Sequence, residues 1–487
     1  MAANHHDTTN AIYDVYNPTY WDPASLSHEL NRIYDICNGC RLCFNICPSF
    51  PALFNSIDQH TDLKRARAVQ SGLVSEKIEK ETYDDSRPEG EHAVEASIEA
   101  TFSGTVYDLT DEEKWKVVDL CYQCKLCDPV CPYTPAKGHD FQLDFPKLMT
   151  RAQAIRTRKR GVRPNDKFLS NTDFSGKMGT MMAPLTNFAN NTKLIRSAMH
   201  KIIGIHKDRM LPDFQSETLE KWYKKHKATV KTSASSGEKV VIFATCFTNN
   251  NDPSVGKAAI RILEHNEVEV QYPVQQCCGA PYLSPGDFEG FKKQSLPNIL
   301  ELSRWVEKGY KIVVTGPPTC SLTIKTEYLH YFSKNEPDVY RKIQMVAAAT
   351  MDISEYLVSL HKQGKLKTDF KHEIGTVNYH LSCHLKAQNM GYKSRDLLRV
   401  VPNTKVNLID KCSGMDGGWG MKAEFFDDSM AVAAKLVNSL KSKECNTTCS
   451  DCTLAGLQVY QASKQEIKPV HPVVTLYNAY GFDEKEG

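Results

Sequence analysis

No run of about eighteen consecutive apolar residues occurs in this 487-residue chain, so no membrane-spanning helix is expected. The opening residues, MAANHHDTTN, lack the basic and apolar regions of a secretory leader, and His5 and His6 read as part of a disordered polar tail. Charge of one sign is also missing. Sixty Lys and Arg stand against 58 Asp and Glu, which leaves no bulk basic excess for nucleic acid. A dinucleotide fingerprint is absent too: the Gly417-Gly418-Trp419-Gly420 run follows no buried strand, and it reads as a flexible loop in which Trp419 is available to shield a neighbouring site. No flavin or nicotinamide site is therefore legible, and no catalytic residue is assigned.

Cysteine is what the chain has in excess. There are seventeen, an odd number and mostly at metal-type spacings, which disfavours a secreted disulfide framework and suits a reducing cytoplasm. Eight fall in two copies of C-x2-C-x2-C-x3-C-P, namely Cys37, Cys40, Cys43, Cys47 with Pro48, and Cys121, Cys124, Cys127, Cys131 with Pro132. This is the run by which thiolates cage [4Fe–4S] clusters, the fourth cysteine reaching the neighbouring cluster in two-cluster ferredoxins. The expected pairing is Cys37, Cys40, Cys43 and Cys131 on one cluster, and Cys121, Cys124, Cys127 and Cys47 on the other. Ahead of the second run, Thr110 and Glu113 form a capping-box pattern and Trp115, Val118 and Leu120 follow at near-helical spacing, so both motifs are expected within helices. The acidic stretch between the runs (EKIEKETYDDSRPEGEHAVEAS) reads as a surface excursion. The module resembles the helical ferredoxin units of succinate dehydrogenase-type and heterodisulfide reductase C-type subunits.

Residues 151–167 carry seven Lys and Arg against one Asp, and an apolar segment from Met178 to Ile203 follows. A basic stretch beside an amphipathic one suits an anionic membrane surface, with Arg156, Arg158, Lys159 and Arg160 as the contact. Ordinary helices packing between domains produce the same pattern and are its commoner source. Thr232 to Glu238 (TSASSGE) reads as a linker.

From Lys239 the pattern changes to alternating strands and helices, and it occurs twice. In the first copy VVIFAT ends at Cys246, VEVQYPV leads to Cys277-Cys278-Gly279, and KIVVT leads to Gly316-Pro317-Pro318-Thr319-Cys320. In the second, TVNYHL precedes Cys383, KVNLID precedes Cys412-Ser413-Gly414, and Cys449-Ser450-Asp451-Cys452 closes the unit. Thiols at the carboxyl ends of parallel strands converge where open α/β sheets bind ligands. The pattern resembles the cysteine-rich CCG domains of heterodisulfide reductase B-type subunits and of lactate- and glycolate-oxidase iron–sulfur subunits. The order of a two-cluster ferredoxin followed by two CCG domains resembles the iron–sulfur (C-type) subunits of anaerobic glycerol-3-phosphate dehydrogenase.

That resemblance implies an α+β multidomain protein: an N-terminal tail (1–27), an α-helical ferredoxin with two [4Fe–4S] motifs (28–150), a basic amphipathic connector (151–238), and two tandem α/β CCG domains (239–372 and 373–487). The family pattern has five thiols per CCG domain. Here Pro317 and Ser413 each replace one, leaving Cys246, Cys277, Cys278 and Cys320 for one centre and Cys383, Cys412, Cys449 and Cys452 for the other, each a cubane or a zinc site. Cys445 is left over as a free thiol. His384 and His380 could ligate or tune the second centre, although backbone usually satisfies such histidines. The implied role is an electron-transfer subunit of an oxidoreductase, cytoplasmic or peripheral on the cytoplasmic face of a membrane, working between a flavin dehydrogenase or other redox partner and a quinone or further acceptor. Two alternatives are a heterodisulfide reductase-like subunit acting on a disulfide or thiol, and a zinc-stabilised docking subunit.

Overall fold

A computed structural model describes residues 11–71, 103–229 and 235–482. The acidic excursion, the His5–His6 tail and Thr232, Ser233 and Ala234 of the TSASSGE linker lie outside these residues. The structure has a helical N-terminal half and two separate parallel sheets.

The first sheet has strand order β2-β1-β3-β4, with β1 Lys239–Ala244, β2 Glu269–Gln271, β3 Lys311–Thr315 and β4 Thr350–Asp352. The second has order β6-β5-β7, with β5 Thr376–His380, β6 Lys405–Ile409 and β7 Thr447–Ser450. All pairings are parallel. β1 and β3 are buried after their first residue, as continuous Val/Ile runs must be when helices cover both faces. The crossover helices Pro253–His265 and Phe288–Glu307 fall where the apolar periodicity puts them.

Three expected boundaries move. The segment before residue 28 is not a tail from residue 11 onward: Tyr13 and Tyr20 are buried, and Arg151 donates to the carbonyls of Tyr20 and Thr19, both at 2.7 Å. A cut at residue 150 would divide the helix Phe145–Arg160, whose Phe145, Leu148, Met149 and Ala152 belong to the ferredoxin core. The C-terminal helix Pro472–Ala479 puts Val473, Leu476 and Ala479 into the core of the first sheet, so the two repeats share one apolar interior. Both N-terminal cysteine runs also leave the helical state. Helix Pro23–Cys40 stops at Arg41, which is left-handed at φ 50°, and Gln123 and Lys125 flank Cys124 with φ 55° and 57°. The reason is geometric: a continuous helix would string four such thiols over about 15 Å, too far apart to meet on one group. The Thr110–Glu113 capping box forms as expected.

Candidate metal centres

Cys37, Cys40, Cys43 and Cys131 line a single cavity of ≈300 Å³, with Phe50, Phe54, Tyr133 and Leu143 among its walls. Three thiols of the first N-terminal motif and the last of the second thus line one cavity. Cys40 is exposed, so this first group of thiols lies close to the surface. Behind it, Cys127 faces Cys47 and Cys121, and Cys43 faces Cys47, so the second group adjoins the first. Cys124 completes that motif but turns its thiol to Cys412 of the second repeat, with Cys47 and Cys383 nearby.

In the first repeat, Cys246 touches Cys277, Cys277 touches Cys278, and Cys278 touches Cys320. All four follow strand ends, where the parallel sheet directs successive loops to one edge. Gly279 closes the pair in the left-handed region at φ 92°, where an added Cβ would lie 2.7 Å from the Ser295 hydroxyl. The backbone N–H of Cys277 donates to Asp173 at 3.0 Å, and Gln294 holds the same carboxylate at 2.6 Å.

In the second repeat Cys383 and Cys452 line a cleft of ≈490 Å³ together with Tyr122, Cys124, Ser382, Ser413 and Asp416, and Cys412 touches Cys383 and lies near Cys452. Cys449 does not join them. Its side chain points to the other face of β7, fully buried among Val377, Tyr379 and Leu385, with its thiol 3.2 Å from the Thr475 hydroxyl. Strand pleating is the cause, since alternate residues of β7 face opposite sides. Cys452 neighbours Cys320, which brings the two repeats' thiols side by side. Cys445 is exposed and apart from every group.

His380 and His384 are both engaged by protein. His380 spans Ser450 Oγ at 2.9 Å and the Lys411 carbonyl at 3.0 Å, tying together the ends of β5, β6 and β7. His384 donates through Nε2 to the Gln123 carbonyl at 2.8 Å, and its Nδ1 meets the Thr319 hydroxyl at 2.8 Å, joining the ferredoxin loop to both repeats. Burial holds both imidazoles below their ordinary pKa, hence neutral. With both ring nitrogens occupied, each histidine positions the thiol-bearing loops instead of ligating. Trp419 is buried at 3 % exposure, packs its ring 4.6 Å from that of Tyr122 and donates to the Asp119 carbonyl at 2.9 Å, so its loop is a fixed wedge rather than a flexible one.

The basic stretch is only partly free. Arg156 is turned inward, paired with Asp119 and lying 4.7 Å over the Trp115 ring, because a half-buried guanidinium gains more from a carboxylate and an aromatic face than from water. Arg156 therefore offers little to a surface partner, contrary to the expectation from the basic stretch. Arg158 lies 4.6 Å over Trp21 and, like Lys159 and Arg160, is exposed.

The thiols suit iron–sulfur groups. Burial, reinforced by neighbouring thiols, pushes Cys43 and Cys121 up to about 12, and burial pushes Cys47 and Cys452 to about 11. Such thiols become thiolates only when a bound cation offsets the lost hydration. Among the described residues no three His, Cys, Asp or Glu side chains converge closely enough for one metal ion. A cluster fills the space between its thiolates with iron and sulfide.

Comparison with known proteins agrees with this donor set. A model described as "4Fe-4S dicluster domain" matches residues 36–134, and one described as "Cysteine-rich domain" (CCG) matches residues 240–325 and 377–455. The chain carries CCG cysteine-rich domains together with a 4Fe-4S dicluster domain. This CCG protein is 26% identical to the C subunit of anaerobic glycerol-3-phosphate dehydrogenase from Escherichia coli (strain K12) over 314 residues, covering 64% of the chain and 76% of that relative. Lactate utilization protein A of Bacillus cytotoxicus is 29% identical over 198 residues, 39% of the CCG protein and 78% of the relative. The B subunit of fumarate reductase (CoM/CoB) from Methanothermobacter marburgensis is 26% identical over 224 residues, 45% and 41% of the two chains.

Sequence reasoning missed Tyr122, whose hydroxyl lies 3.1 Å from Cys412 Sγ, and Asp173, which holds the loop of Cys277. Neither carries a motif, and only the position of Tyr122 inside the CYQC run was a signal.

Proposed function

We propose that this chain is an iron–sulfur relay subunit passing electrons between a flavin dehydrogenase or other redox partner and a quinone or further acceptor. The observation that carries this reading is an unbroken succession of thiol groups, from the surface group at Cys40, through Cys43 and Cys47, across the Cys124–Cys412 contact, to Cys452 and Cys320. Clusters bound to these groups supply one-electron transfer. The protein's part is to hold the groups in series, keep water from the inner ones and fix the junction through Tyr122, His384 and Trp419. Exposed Leu42 and Phe44 beside the first group, at 60% and 39% exposure, support docking of a redox partner there. We assign the ferredoxin unit to residues 11–160 and treat the two repeats as one joined unit. Anaerobic purification followed by iron, sulfide and zinc analysis tests the relay. About sixteen irons per chain without zinc is expected, and about eight irons with zinc in the repeats refutes it.

A specific observation supports the far end of the relay lying at a membrane. Helix Thr172–Met181 holds Asp173 against the Cys277 loop, while Phe174, Met178 and Met181, at i, i+4 and i+7, are 58%, 43% and 64% exposed. That spacing normally marks a buried stripe. Leu185, Phe188, Leu194 and Ile202 on the next two helices extend the apolar face, and the exposed charges between residues 167 and 202 are Lys167, Lys177, Lys193 and Lys201. Apolar side chains among lysines match an anionic lipid surface. Among the described residues no helix is long and apolar enough to cross the bilayer. The full chain is expected to sediment with phosphatidylglycerol-containing vesicles at low salt, and Met181→Glu with Phe188→Glu is expected to weaken this at least tenfold. If the wild-type chain stays in the supernatant, the face belongs to a protein partner.

A further inference from the structure

The two repeats are equivalent in element order, yet they do not offer equivalent ligands. After their first strands stand Cys246 and Cys383, after their second Cys277 and Cys412, and after their third Cys320 and Cys452. The fourth position in the first repeat is Cys278, buried and in contact with both Cys277 and Cys320. Its counterpart in the second repeat is Ser413, buried to 3 % exposure and lining the cleft. Cys449, the one remaining thiol on the third strand of that repeat, faces the opposite side of β7 and is held by Thr475. Its counterpart in the first repeat is Pro317, which has no donor at all, so neither copy uses this position. A second observation points into the same cleft. The Ser382 hydroxyl, 2 % exposed, lines it and has no hydrogen-bond partner. A buried hydroxyl left this way is costly unless something in the cleft receives it.

We propose that the second repeat binds its iron–sulfur group through three thiolates only, Cys383, Cys412 and Cys452, and leaves one iron without a cysteine, on the Ser413 side and open to the cleft for a small oxygen or sulfur donor. The inference rests on the relay reading, in that it needs iron in the second repeat. It also takes Cys124, which lines the same cleft against Cys412, as a ligand of the ferredoxin group, on its spacing in the Cys121–Cys131 run.

An iron lacking a thiolate is the one lost on mild oxidation. Ferricyanide removes one electron from [4Fe–4S]2+, giving [4Fe–4S]3+, which releases Fe2+ and leaves [3Fe–4S]+; one electron from dithionite plus added Fe2+ restores the original group. The test uses the full chain purified anaerobically, with released iron measured by chelator absorbance and the three-iron group by EPR spin counting. Wild type is expected to release one iron per chain, with a matching and reversible three-iron signal. Ser413→Cys is expected to cut that release at least tenfold while keeping the total iron, and Cys449→Ser to leave both iron content and release unchanged. Loss of about four irons in Cys449→Ser overturns the proposal, as does a fully loaded wild type that releases none. So does release that Ser413→Cys leaves untouched, which would place the labile iron elsewhere. A chain with no iron in the repeats fails the relay reading itself, and the metal analysis separates that outcome from the others.

Discussion

Removing the Tyr122 hydroxyl should lower the potential of one centre and spare the rest. The hydroxyl lies 3.1 Å from Cys412 Sγ, a sulfur that also accepts from the Gly414 N–H at 3.3 Å and meets the thiols of Cys124 and Cys383. Tyr122→Phe keeps the ring against Trp419, so the wedge at the junction stays packed. A hydrogen bond to a charged acceptor is worth roughly 1.5–3 kcal/mol. A reduced centre carries one more negative charge and holds the bond more tightly. If about a third of the bond's value differs between the two oxidation states, the loss is roughly 0.5–1 kcal/mol, equivalent to a fall of roughly 20–40 mV for a one-electron couple. An EPR-monitored redox titration of the loaded chain reads this directly. An unchanged potential, an upward shift, or an equal shift in every centre would refute a hydroxyl that acts on the Cys412 sulfur.

Two further outcomes test the scaffold. Gly286 has φ 74°, and an added Cβ would sit 2.4 Å from the Ala154 backbone nitrogen, beside the bond from Thr157 to the Pro285 carbonyl at 2.6 Å. Gly286→Ala should therefore destabilise the ferredoxin–repeat contact by roughly 2–5 kcal/mol, seen as an earlier urea midpoint, and an unchanged midpoint would contradict the close approach. Burial, with nearby Asp451 adding to it, pushes the Asp352 carboxyl up to about 8 from 3.8. The folded state then keeps a proton that the unfolded chain has released. Stability from this group is full below the unfolded value and is lost as pH rises toward 8, at about 1.4 kcal/mol per pH unit within that window. Asn caps a helix as well as Asp does, so Asp352→Asn should gain on the wild type between pH 5 and 8 in urea unfolding, and a constant difference would argue against the shift.

The donor inventory was legible because a cluster demands cysteines at short, regular spacings, and spacing is a property of the chain itself. Cys37, Cys40 and Cys43 are close in space because they are close in sequence, and the β/α alternation after Lys239 announced parallel sheets whose strand ends carry Cys246, Cys320 and Cys383. Long-range choices were not legible. Whether Cys449 faces the second centre depends on which side of β7 meets the core, and a one-residue change of register would reverse it. The inward turn of Arg156 needed Asp119 and Trp115, which the sequence holds 37 and 41 residues away. The outward turn of Phe174, Met178 and Met181 likewise contradicts what their periodicity alone would imply. The sequence by itself thus determined which thiols exist and which strands present them, because those follow from local spacing and hydrophobic period. Only the tertiary structure decided which thiols share a centre and that Cys124 meets Cys412, because these depend on how separate elements pack, and packing is settled by the whole core at once.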